Sequence, residues 1–183
     1  MMNLPKITLK ERAAFIPANH ARIINIVKAG IAPKLIAQIP PAQIMLDITY
    51  ACNYDCIGCV DGGVVGRKEL VKGGLEWNLD WEIVNNLLGY AKQNNMLGFM
   101  IQGGEPLSYE HISKFLEKCG ENGLAIRMVT NGSQILDHVD PIIAATQHPK
   151  SVLRVSVNAD EDHYAKFTTK GGQNNWKNVI NGI

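Results

Sequence analysis

Four short segments rich in apolar and β-branched residues, separated by helix-like stretches, decide most of what this chain can fold into. They are QIMLDITYA (Gln43–Ala51), GFMIQ (Gly98–Gln102), AIRMVT (Ala125–Thr130) and VLRVSVN (Val152–Asn158), each with the length and content of a buried parallel strand. A first helix is expected from the stripe Leu79, Ile83, Val84, Leu87, Leu88 and Ala91, capped by Asn78 or Asp80. Ser108 is expected to cap a second, with Ile112, Phe115, Leu116 and Cys119 as its buried face and Gly120 or Gly123 at its end. Asp140-Pro141 reads as a cap followed by proline at the first helical position of a third, and Asn174–Ile183 as a last helical stretch. Strand and helix alternate, so right-handed crossovers and a mainly parallel sheet follow. Four units cannot close an eightfold barrel, so the fold class is α/β, a partial barrel of the TIM type, and the chain reads as cut short.

Residues 1–41 differ in character: Ile23, Ile24, Val27 and Ile31 recur at helical spacing, and Pro40-Pro41 ends the helical pattern. The expected organisation is an N-terminal helical extension over 1–41 and a core domain over 42–183. The long connection Val60–Trp77, rich in glycine, reads as a solvated surface loop and, less favoured, as a lid. With 18 basic and 17 acidic residues and no basic block, nothing marks the chain for nucleic acid or an anionic membrane. No apolar run reaches the roughly 18 to 20 residues of a bilayer span, and Met1–Lys10 lacks a signal-peptide core. The expected location is cytoplasmic.

Cys52, Cys56 and Cys59 lie within eight residues, and Cys119 stands apart. Clustered thiols in a reducing compartment point to metal before disulfide. The spacing i, i+4, i+7 is also that of one helix face, but Asn53, Asp55, Gly58 and Gly62-Gly63 are poor helix residues, so a loop after strand one is the better placement. Soft thiolates select iron–sulfur or zinc. A structural zinc site needs a fourth ligand, and no histidine is near in sequence. Cys119, on the apolar side of its helix, reads as a core residue. A four-iron cubane held by three cysteines leaves one iron open to a ligand.

CNYDCIGC (Cys52–Cys59) resembles the CxxxCxxC motif of radical S-adenosylmethionine enzymes, and Gly103-Gly104-Glu105-Pro106 at the end of strand two is similar to that family's GGEP segment. VTNG (Val129–Gly132) and SVNA (Ser156–Ala159) look like its third and fourth strand ends. Gly58 departs from the aromatic residue usual before the third cysteine. The resemblance covers about Gln43–Ile183 and implies the first four βα units of a six-unit core. It implies a 4Fe-4S cluster on Cys52, Cys56 and Cys59 and S-adenosylmethionine as cofactors, reductive cleavage of the latter to a 5′-deoxyadenosyl radical, and hydrogen abstraction from a substrate. It also implies cofactor-binding roles for Gly103, Gly104, Glu105, Asn131, Ser156 and Asn158, and an electron donor such as flavodoxin or ferredoxin. The substrate stays open among peptide, nucleoside and small metabolite. Two other readings stand beside it: an iron–sulfur electron-transfer or sensing module with Cys119 or a residue missing from the chain as a fourth ligand, and a metal-stabilised binding protein.

Overall fold

The computed structural model describes residues 41–59, 78–168 and 175–183. The expected N-terminal extension, Pro41 apart, and the connection Val60–Trp77 lie outside the described residues. Strands β1 (Gln43–Thr49), β2 (Gly98–Gly103), β3 (Ala125–Thr130) and β4 (Val152–Val155) form one parallel sheet in the order β1-β2-β3-β4. Helices α1 (Trp81–Gln93), α2 (Ile112–Glu121) and α3 (Val139–Thr146) connect successive strands, and α4 (Glu161–Phe167) and α5 (Asn175–Gly182) follow β4.

Alternation along each strand gives the sheet two unlike faces. Leu46 and Ile48, Phe99 and Ile101, and Ile126 and Met128 are buried against α1, α2 and α3. Phe99 meets Phe115 of α2 edge to face at 5.4 Å, a preferred aromatic geometry. On the opposite face Met45, Met100, Val129 and Val152 are exposed, as are Asp47, Gln102, Arg127 and Arg154. Helices outside a parallel sheet with its other face open make an α/β partial barrel.

The helices arise largely where the pattern places them. Asp80 caps α1, its carboxylate accepting from the backbone N–H of Glu82 at 2.7 Å and of Ile83 at 3.4 Å. Asp80→Ala is expected to lower stability by about 1 kcal/mol, and Asp80→Asn by much less, as read by thermal unfolding. The apolar arc of α1 is wider than its contact, so Val84, Leu88 and Ala91 are buried while Ile83 faces solvent. On α2 the expected face is the buried one, Cys119 included.

Several boundaries differ from the expectation, four of them for an identifiable reason. Ser108 does not cap α2: it ends a 3-10 turn (Pro106–Ser108) started by Glu105, its hydroxyl donates to Gln134 at 2.7 Å, and α2 begins after His111 without a side-chain cap. Asp140-Pro141 lies inside the first turn of α3, where a missing N–H costs nothing, and the helix starts at Val139. β1 stops at Thr49 because its hydroxyl takes the N–H of Ala51 at 3.0 Å, turning the chain out of the ladder. β4 stops at Val155, after which one bond, Ser156 N–H to the Thr130 carbonyl at 2.9 Å, steers the chain across the strand tips.

Candidate functional site

The C-terminal ends of the strands surround a cavity of about 420 Å³, a size that suits a small ligand. Cys52, Cys56 and Cys59 line one side, and Gly103, Gly104 and Glu105 line another. Asn131, Ser156 and Asn158 complete the rim, above a floor that includes Asp47 and Gln102. The structure therefore brings together all nine residues singled out in the sequence, from four separate strand ends.

The cysteine loop is held at three points. Thr49 anchors its start, being fully buried and donating its hydroxyl to Asn78 at 2.7 Å. The Tyr54 N–H donates to the Cys52 sulfur at 3.4 Å, and its ring packs edge to face on Tyr164 of α4, with Trp176 of α5 next in the stack. Burial pushes the Tyr164 phenol up to about 12. At its end, Cys56 forms an isolated antiparallel bridge with Thr168, and the Ile57 N–H donates to the Phe167 carbonyl at 2.9 Å. The turn Cys56–Cys59 closes with the Cys59 N–H on the Cys56 carbonyl at 3.2 Å. Gly58 occupies its third position at φ +79°, a backbone shape that glycine alone takes without strain. That geometry accounts for glycine where the family resemblance leads one to expect an aromatic residue.

The Gly103–Glu105 segment docks against the cysteine loop through its backbone. Gly104 N–H donates to the Thr49 carbonyl at 2.7 Å, and Glu105 N–H to the Ala51 carbonyl at 2.8 Å. The Glu105 carboxylate lies inside, 1% exposed. One oxygen accepts from the Leu107 N–H (2.9 Å) and the Thr130 hydroxyl (2.7 Å), the other from the Asn131 N–H (2.6 Å). Burial raises its pKa in spite of these three bonds.

Asn131 extends the network to the cysteines. Its amide donates to the Asn53 side-chain oxygen at 2.8 Å and its oxygen accepts from both the N–H and the hydroxyl of Ser133, while Asn53 donates to Ser133 at 2.8 Å. Asn53 and Tyr54 escape sequence reasoning because they occupy unspecified positions of a motif, and Ser133 because it lies just beyond one. Their one signal is that polar or aromatic residues in a tight loop need partners.

The donor set suits iron–sulfur chemistry. Among the described residues no group of three or more His, Cys, Asp or Glu side chains is placed to hold a single metal ion, whereas thiolates that each take a different iron of a cluster need not converge on one point. None of the four cysteines is in a disulfide. Cys119 is fully buried in the main core, where desolvation pushes its thiol up, and it does not line the cavity. The fourth ligand required by an electron-transfer module is therefore not supplied by Cys119.

Comparison with known proteins agrees with this architecture. The crystal structure of Streptococcus suis SuiB bound to precursor peptide SuiA superposes with a TM-score of 0.54 at 17% identity, over 75% of this chain and 30% of that one. SuiB bound to S-adenosylmethionine gives 0.53 at 18%, over 82% and 32%. The chain thus spans about a third of the length of these structures. No curated protein matches the sequence. Among the described residues no helix is long and apolar enough to cross a membrane. The family model described as the Radical SAM superfamily matches residues 46–183, and the chain, which carries the three cysteines, the Gly103–Glu105 segment and the parallel sheet within that span, belongs to the radical SAM superfamily.

Proposed function

We propose that residues 42–183 are the cofactor-binding core of a radical S-adenosylmethionine enzyme of the cytoplasm. What carries the reading is that Cys52, Cys56 and Cys59 line one cavity together with Gly103, Gly104 and the ends of β3 and β4. In this reading the three thiolates hold a 4Fe-4S cluster and leave one iron for S-adenosylmethionine. If bound there, the pair would supply one-electron reductive chemistry that yields a 5′-deoxyadenosyl radical for hydrogen abstraction from the substrate, with a donor such as flavodoxin or ferredoxin as the source of the electron.

The chain's own groups bind and orient. Without a Cβ, Gly103 and Gly104 let the backbone stand close to a ligand amine. The Ser156 hydroxyl and Asn158 amide, on the opposite rim, suit a ribose or a carboxylate. Glu105 and Asn131 face the same cavity, but their polar atoms bind Leu107, Thr130, Asn53 and Ser133, so their contribution is chiefly to position the loops. Tyr54, Tyr164 and Trp176 exclude water behind the cysteine loop. The substrate belongs among peptides, nucleosides and small metabolites, and SuiB with its bound precursor peptide exemplifies the first.

The test is anaerobic reconstitution with iron and sulfide, followed by electron paramagnetic resonance of the dithionite-reduced protein. A four-iron signal perturbed by S-adenosylmethionine and lost in Cys52→Ala is expected. A signal indifferent to S-adenosylmethionine would overturn the reading.

A further inference from the structure

The open face of the sheet carries a second cavity, of about 350 Å³, that the cofactor reading does not use. It adjoins the first, since Gln102 and Val129 line both. Its chemistry is mixed. Met100, Val129 and Val152 give it exposed apolar surface, and Arg127 and Arg154 bring two guanidinium groups to it.

The sheet register fixes how these two cations stand. Arg127 of β3 lies opposite Met100 on one side and Val152 on the other, and Arg154 of β4 lies opposite Val129, so the arginines sit one row apart on neighbouring strands of the same face. Among the described strands the one carboxylate on that face, Asp47 of β1, pairs in register with Gln102 of β2 and is separated from β3 by the whole of β2. Among the described residues, neither guanidinium makes a hydrogen bond or an ion pair. Two like charges held diagonally on adjacent strands repel each other, and a bound oxyanion offsets that repulsion. Guanidinium forks match carboxylate and phosphate oxygens in pairs.

We propose that this face is a substrate subsite for an oxyanion, carboxylate or phosphate, carried on an apolar body. The anion is held by Arg127 and Arg154, the apolar body lies along Met100, Val129 and Val152, and Gln102 marks the passage towards the cysteine cavity. The proposal rests on the reading of the cysteine cavity as the site of reaction, and it adds the chemical class of what enters there.

Its test needs no cluster. The full chain, labelled with nitrogen-15, is titrated with inorganic phosphate, with hexanoate and with hexanol at constant ionic strength, and the arginine Nε–H signals are followed. Arg12, Arg22 and Arg67 serve as references within the same chain. Saturable shifts confined to Arg127 and Arg154 are expected with hexanoate, phosphate or both, and not with hexanol. Saturation by hexanoate alone identifies a carboxylate ligand, and by phosphate alone a phosphate. Arg127→Gln and Arg154→Gln, both at exposed positions, should each weaken the binding about tenfold. Shifts spread equally over all the arginines, or no saturation with either anion, would overturn the proposal. That result would leave the paramagnetic resonance test of the cysteine cavity untouched, and failure of the latter would leave the anion titration standing.

Discussion

Glu105→Ala is expected to lower the stability of the folded chain by about 3 kcal/mol or more, because it strands three donors, two buried and one half-buried, that each cost about 1 to 3 kcal/mol unpaired. Those donors are the N–H groups of Leu107 and Asn131 and the Thr130 hydroxyl. For a chain of this size the melting temperature should fall by roughly 6 to 12 °C. Glu105→Gln should cost less, since its amide oxygen replaces one acceptor, while its NH₂ still opposes a backbone N–H. A loss no larger than that of an exposed substitution would show that the network does not hold the loops. The same residue predicts a pH dependence. Burial raises its pKa above the ordinary 4.5, so the folded chain holds this proton more tightly than the unfolded chain. The stabilisation from that proton is complete below 4.5 and is lost as pH rises through the folded-state value. Glutamine does not titrate, so the stability difference between the wild type and Glu105→Gln should narrow as pH rises through that window. A difference that widens would mean that the three hydrogen bonds outweigh burial.

Gly104→Ala is the second large effect. A Cβ there would stand 2.2 Å from the Ala51 carbonyl oxygen and 2.7 Å from that of Tyr50. Both are backbone atoms, and the first already accepts the Glu105 N–H, so relief requires the cysteine loop to move. A cost of about 1 to 3 kcal/mol or more is expected, together with loss of the reconstituted iron signal. Gly123→Ala is the control. Its φ is +63° but nothing lies within 4 Å, so it should cost only about 1 kcal/mol and leave that signal intact. Equal behaviour of the two variants in unfolding and in reconstitution would show that the close approach does not matter.

The comparison of residues with structure shows which signals were local. β3 is found where its β-branched run puts it, and the buried face of α2 matches its spacing, because periodicity reports burial directly. That the three cysteines, Gly103 and Gly104 line one cavity was legible because their chemistry or their missing side chain is unusual. The misread boundaries have another origin. Ser108 looks like a cap, and only the distant Gln134 makes its hydroxyl a tertiary donor instead. Glu105 looks like a cofactor-binding residue, and its burial against donors of Leu107, Thr130 and Asn131 cannot be seen in four residues of motif. Asn131 looks like a cofactor-binding residue, and the structure adds another role, bonded to Asn53 across the cavity rim.

The strands lie side by side in the order in which they are made. Each can therefore dock on its predecessor as the chain leaves the ribosome, through contacts of modest sequence separation. The cysteine loop is the exception. It follows the first strand, yet Tyr54 bonds the carbonyl of Asn175, 121 residues later, and Cys56 pairs with Thr168. During synthesis the loop therefore lacks its backing until α4 and α5 arrive, and the aromatic stack of Tyr54, Tyr164 and Trp176 is the last part of the site to assemble.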